Sequence, residues 1–393
     1  MHSLDLPEPD ADAKAVSAQL WALIADEIER LGPMPFQRYM ELALYAPGLG
    51  YYAAGAHKFG AAGDFITAPE LGGVMAEVIA ETLAPLLRTQ AQPTILELGA
   101  GSGALAADLL GALSRRRALP DRYLILERSA DLRQRQRRRL ETQSPEAMDR
   151  VSWLDCPPES GFDGAIIGNE VVDALACARF EVSADGLREV CVQLRDGRFQ
   201  DCLAAPRASL AVAFEHLQRE LDAPLAIGYQ SELVPELSPW LASVSACLRS
   251  GLVLLADYGY GRREYYHPQR SRGTLICHYR QRVHDDPYWY PGLNDITASV
   301  DFTALAEAGH GAGLALLGYD NQSGFLIGAG IEQIYAHLAE LDDRQRLRLA
   351  GEIKRLMLPG EMGERFKLML LGRGLDPALL PEGLRGMGQR QML

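Results

Sequence analysis

The sequence predicts an α/β fold, a mostly parallel sheet covered by helices on both faces and closed at one edge by an antiparallel strand. Three observations carry this expectation. Apolar runs of strand length alternate with amphipathic helical stretches from residue 94 onward, the pattern of a parallel sheet with crossover helices. The first of those runs ends in Glu97-Leu98-Gly99-Ala100-Gly101-Ser102-Gly103, an acid followed by glycines at every second position, and then enters a helix. Finally, two apolar runs at 315–319 and 324–327 are separated only by Asp320-Asn321-Gln322-Ser323. That connection is too short for a crossover, so it predicts a terminal antiparallel hairpin.

Taken in order, residues 16–31 space their apolar side chains at helical intervals and end at Gly32-Pro33. A short helix is expected over 38–44 and another over about 70–88, which makes 1–90 an N-terminal helical cap. The sheet domain then runs over 91–330. Its strands are expected at 94–98, 122–126, 151–154, 162–168 and 251–256, with helices at 103–113, 130–141, 232–249 and 302–308. Two insertions interrupt it, 180–231 and 258–300. The first contains alternating strands around Asp196-Gly197, a hairpin turn pair. The second is rich in tyrosine, arginine, proline and glycine. Residues 331–393 are expected to be helical, over about 330–350 and again through 361–371.

Composition excludes several classes. The chain has 393 residues, 48% of them hydrophobic, and a formal net charge of −13. An acidic chain is a poor nucleic-acid partner, which would show a basic face. The arginine-rich run from Arg133 to Arg139 is read as a solvated helix face. Six scattered cysteines form no Cys-x-x-Cys pair, and the histidines show no ligand spacing, so no metal site is expected. No apolar run approaches the length of a membrane span, and no membrane insertion is expected. The acidic stretch 1–15 resembles neither a secretory signal nor a transit peptide, so a cytoplasmic protein is expected.

The glycine turn admits two cofactor readings. Gly99, Gly101 and Ala104 satisfy the dinucleotide pattern, and Glu97, Gly99, Gly101 and Gly103 satisfy the acid-x-G-x-G-x-G pattern of methyltransferases. A carboxylate at Glu97 suits an ammonium group and repels a pyrophosphate. Glu127, closing the second strand, is placed to accept both ribose hydroxyls of either cofactor. The antiparallel terminal strand favours the seven-stranded, Rossmann-like sheet of class I S-adenosylmethionine-dependent methyltransferases. In that sheet Leu154 and Asp155 flank the adenine, and Asn169 contacts the methionine end. An NAD-dependent oxidoreductase is the competing reading.

Several segments resemble the MidA family of class I methyltransferases. They are Gly63-Asp64-Phe65-Ile66-Thr67-Ala68-Pro69-Glu70, the turn from Glu97 to Gly103, Asn169-Glu170-Val171-Val172-Asp173, Asp257-Tyr258-Gly259-Tyr260 and Arg272-Gly273-Thr274-Leu275. Pro291-Gly292-Leu293-Asn294-Asp295-Ile296-Thr297 and Val300-Asp301-Phe302 belong with them. The sequence departs from the family at Ala176-Cys177-Ala178 and Gly72-Gly73-Val74-Met75, away from the cofactor motifs. The resemblance implies S-adenosylmethionine as cofactor, with Gly63 joining its site. It also implies methyl transfer to an arginine guanidinium of a partner protein, a respiratory-complex subunit among the candidates. Glu170 and Asp173 are the expected catalytic pair, supported by Asp64 and Asp257. Asp301 is read as a helix N-cap. A methyltransferase for small molecules or other residues, and a non-catalytic assembly factor that binds S-adenosylmethionine, are the alternatives. Oligomeric state is left open.

Overall fold

The computed structural model describes residues 6–53, 67–336, 341–386 and 388–393. The chain divides into two compact units. One consists of residues 66–172, 238–261 and 300–393; the other takes 1–65, 173–237 and 262–299.

The first unit holds the expected sheet. Its strands are β1 (Pro93–Leu98), β2 (Arg122–Leu126), β3 (Val151–Leu154), β4 (Phe162–Asn169), β5 (Leu248–Tyr260), β6 (Val300–Asp301), β7 (Ala315–Asn321) and β8 (Phe366–Arg373). They lie in the order β7-β8-β5-β4-β1-β2-β3, with β6 pairing β5. The strands β1 to β5 are mutually parallel, whereas β8 runs antiparallel to both β5 and β7. β1 is buried along its whole length, as expected of a strand covered on both faces. Helices Val74–Arg88 and Ala104–Arg115 pack their apolar faces onto it in one continuous core.

The antiparallel edge exists, but its strand is not the one expected. Residues 324–327 lie in the helix Gln322–Gly328. The Asn321 side chain accepts from the Gly324 N–H and from the Ser323 hydroxyl, each at 2.8 Å, which starts a helix where a hairpin was expected. The antiparallel partner comes instead from Phe366–Arg373, read as helical from sequence. Most of this strand is buried, and a continuous apolar run carries no period that separates strand from helix. The C-terminal segment 331–393 is therefore not helical throughout.

Two other boundaries move. Residues 67–90 pack with the sheet and not with an N-terminal cap, and the helix expected there breaks at Gly72-Gly73 into Ala68–Leu71 and Val74–Arg88. The helix expected over 232–249 is only Leu237–Ser245, because Gln230–Leu233 is a strand of the second unit.

The second unit joins the N-terminal helices to both insertions. Met34–Pro35, Gly186–Arg195, Ala178–Ser183 and Gln230–Leu233 form an antiparallel sheet, with Arg198–Ala204 pairing Gly186–Arg195. Asp196 and Gly197 close that last pair with φ of 51° and 69°, as a two-residue hairpin requires. A three-stranded sheet from 276–297 completes the unit. Helices Ala11–Leu31 and Phe36–Tyr45 share its core with Val192, Phe199, Cys277 and Ile296.

Candidate active site

The carboxyl ends of β1, β2, β3 and β4 carry most of the residues singled out from sequence. The turn after β1 holds Gly99, Gly101 and Gly103 at φ of 62°, 52° and 82°. Three left-handed residues at alternate positions are costly for any residue but glycine. Space adds a second reason: a Cβ on Gly103 would lie 3.1 Å from the Gln136 backbone, and one on Gly99 would lie 3.2 Å from Val171. The Ser102 hydroxyl donates to Glu70, whose carboxylate also pairs with Arg139 at 3.1 Å.

Glu97 is buried and accepts a 2.8 Å hydrogen bond from the Tyr123 hydroxyl. Burial pushes its carboxyl up to about 7; the Tyr123 bond opposes the rise and the nearby Glu127 adds to it. Glu127 is also buried, and burial raises its carboxyl too. It accepts from the Ser129 N–H at 2.9 Å and from the Gln136 amide at 3.2 Å. Beyond β3, Asp155 is exposed and pairs with Arg133 at 2.6 Å. The Trp153 indole donates to Gln136 at 2.8 Å, and Leu154 ends the strand with its carbonyl accepting from the Glu127 N–H.

At the end of β4, Asn169 donates to the Glu170 carboxylate at 3.0 Å. Glu170 sits at φ 54°, a left-handed conformation rare for a residue with a side chain and frequent at functional sites. Asp257 holds the loop from below, its buried carboxylate accepting from the Val172 N–H and from its own following N–H, each at 2.9 Å. Val171 in turn lies against Gly99 and Gly168. The loop bearing Glu170 is thus seated on the glycine turn. Asp301 caps the helix Phe302–Gly311, accepting from Thr303 and Ala304 N–H groups.

Not every predicted residue joins this arrangement. Gly63 and Asp64 lie outside the described residues. Asp173 is the first residue of the second unit's 173–237 segment and is buried there, its carbonyl accepting from the Ala298 N–H. Tyr123, Gln136 and the arginine-rich helix went unrecognised. That helix, Ala130–Gln143, is no plain solvated face: Arg133 bonds the Glu127 carbonyl, Arg137 covers the Trp153 ring, and Arg139 reaches Glu70. A signal was present, because Leu132, Gln136 and Leu140 recur at every fourth position and are its buried stripe.

A family profile of S-adenosyl-L-methionine-dependent methyltransferases matches residues 74–320, well over half of the chain. The chain belongs to this family. Among its relatives is the Bos taurus mitochondrial protein arginine methyltransferase NDUFAF7, 31% identical and covering 92% of this chain and 85% of the relative. A Caenorhabditis elegans homolog is 30% identical, over 88% and 85%. A crystal structure from Burkholderia thailandensis, bound to S-adenosyl-homocysteine, matches with TM-score 0.88 and 43% identity over 95% of this chain and 96% of that one. This MidA-family chain is an S-adenosylmethionine-dependent methyltransferase of class I fold, which sets aside the oxidoreductase reading. The cytoplasmic expectation is overturned by the same relatives, which are named as mitochondrial. No helix among the described residues is long and apolar enough to cross a membrane.

Proposed function

We propose that the enzyme transfers its methyl group to an arginine guanidinium of a partner protein, with Glu170 as the carboxylate that orients the acceptor. The relatives named as protein arginine methyltransferases support the acceptor class. The observation that carries the reading is the strained Glu170 on a loop seated against the glycine turn and braced by Asp257.

The residues present fit S-adenosylmethionine. The turn at 99–103 has glycine, with no Cβ, at each of its three left-handed positions, and two buried carboxylates, Glu97 and Glu127, stand at adjacent strand ends. In this proposal the glycine turn takes the amino-acid end and Glu97 faces its ammonium group. Glu127 accepts from the ribose hydroxyls, Leu154 and Asp155 flank the adenine, and Asn169 meets the methionine portion. Bound there, the cofactor supplies an electrophilic methyl group on a sulfonium.

A guanidinium nitrogen is a weak nucleophile because its lone pair is delocalised. The Glu170 carboxylate would accept from its N–H groups, concentrate electron density on the attacking nitrogen and take the proton released as the N–C bond forms and the methyl C–S bond breaks, its electron pair leaving on sulfur. Asp257 keeps that carboxylate in place through the Val172 N–H. Asp173 is proposed to assist as a second carboxylate.

The test pairs two measurements. Protein incubated with methyl-labelled cofactor and a cell lysate is expected to place label on arginine; label confined to small molecules refutes the acceptor. Glu170→Gln is expected to keep S-adenosyl-homocysteine affinity within about twofold and to lose at least about 100-fold in turnover. Full activity in that variant removes Glu170 from the mechanism.

A further inference from the structure

We propose that Gln136 is a positioning residue of the cofactor site, its single buried amide fixing the glycine turn, Glu127 and Trp153 relative to one another. The residue is fully buried in the middle of an arginine-rich helix. Its Nε2 donates to the Gly101 carbonyl at 2.9 Å and to Glu127 Oε2 at 3.2 Å. Its Oε1 accepts from the Trp153 indole at 2.8 Å. An indole nitrogen only donates, so it fixes which end of the amide is oxygen and aims the NH2 group at the two acceptors. The backbone is held as well, because Gly103 packs directly on the Gln136 Cα.

Three strand ends thereby meet at one side chain. The turn follows β1, Glu127 follows β2 and Trp153 lies near the end of β3. Parallel strands share no hairpin that would set the relative heights of their terminal loops, so a long polar side chain from the covering helix can do it. A leucine would fill the same volume and continue the stripe of Leu132 and Leu140 without an amide to satisfy. An amide with both ends used specifies one arrangement where an apolar side chain permits several. The inference rests on the cofactor site and is independent of the acceptor proposed above.

Calorimetric titration with S-adenosyl-homocysteine and with its 2′-deoxyribose analogue tests it. Gln136→Leu is expected to bind S-adenosyl-homocysteine about 10- to 100-fold more weakly, each lost hydrogen bond being worth up to roughly tenfold. Its preference for the natural ribose over the deoxy analogue is expected to fall severalfold, because Glu127 Oε2 is no longer held; a merely structural glutamine leaves that ratio unchanged. Trp153→Phe removes the indole donor, together with part of the ring that Arg137 covers, and is expected to cost about three- to tenfold. The double variant is expected to be no weaker than the sum of the logarithmic losses and measurably less so, since both changes act on one bond. Gln136→Leu with the ligand-free melting temperature of the parent and affinity within twofold overturns the proposal, as does an unchanged ribose preference. If Gln136→Leu does not fold, Trp153→Phe decides alone, and unchanged affinity there overturns it.

Discussion

Glu97→Gln separates what the buried acid costs the fold from what it gives the site. In the folded chain its carboxyl titrates at about 7, against an ordinary value of 4.5. The folded state therefore holds the proton more tightly than the unfolded one between those values. The contribution to stability is complete below about 4.5, drains away as the pH rises, and is gone above about 7. Two and a half pH units correspond to about 3 kcal/mol. Glutamine keeps an oxygen for the Tyr123 hydroxyl and carries no charge to desolvate, so the variant escapes this loss. Urea unfolding of ligand-free protein at pH 5, 6, 7 and 8, with variant and parent side by side, cancels the other titrating groups. The stability difference, variant minus parent, is expected to climb by about 2–3 kcal/mol over that range. S-adenosyl-homocysteine affinity is expected to move the other way, falling in the variant at pH 8. A difference that stays flat with pH refutes the assignment of a high-titrating Glu97, and one that falls reverses its sign.

Three other perturbations follow from the geometry. Gly103→Ala places a Cβ 3.1 Å from the Gln136 backbone at φ 82°; strain of about 1–2 kcal/mol plus crowding is expected to lower both the melting temperature and S-adenosyl-homocysteine affinity. Asp257→Ala leaves the Val172 N–H without its acceptor, which is expected to cost about 1–3 kcal/mol in urea unfolding and to reduce turnover as the Glu170 loop loses its brace. Asp155→Asn disturbs only an exposed ion pair with Arg133, so stability is expected to stay within about 1 kcal/mol. A severalfold loss of S-adenosyl-homocysteine affinity in that last variant supports the adenine contact, and unchanged affinity removes it.

The sheet's parallel half was legible because its signals are local. Residues 122–126 and 151–154 are strands with the boundaries read from sequence, and the glycine turn announces where β1 stops. The antiparallel edge was not legible in the same way. Phe366–Arg373 is largely apolar without periodicity, and its neighbours in the sheet are residues 251–258, more than a hundred residues away, and residues 315–321, some fifty away. The single side chain of Asn321 turns an apolar run into a helix, an effect smaller than the hydrophobic pattern used to read it. Grouping the insertions with the N-terminus depends on pairings such as Met34 with Val192, which no local pattern carries. At the candidate site, Glu97 and Glu127, proposed to touch the cofactor themselves, were legible from residue type and strand-end position. Residues that act through another were hidden: Tyr123 looks like an ordinary β residue and Gln136 like one polar residue among arginines.

The choice of cofactor class has a physical basis that the glycines alone lack. Glu97 and Glu127 are both buried, and each negative charge makes the other harder to form. A dinucleotide would bring a pyrophosphate toward Glu97, whereas in the pose proposed above S-adenosylmethionine brings an ammonium group there. The same turn also opens the helix Ala104–Arg115, whose first N–H groups receive no side-chain cap, and uncapped helix starts favour anions. An acid beside an anion-binding helix start is contradictory for a phosphate and suited to an amino acid, whose ammonium nitrogen and carboxylate carbon are both bonded to one α-carbon. The acid and the bare helix end together favour the proposed placement of the cofactor's amino-acid end at the glycine turn over a phosphate there.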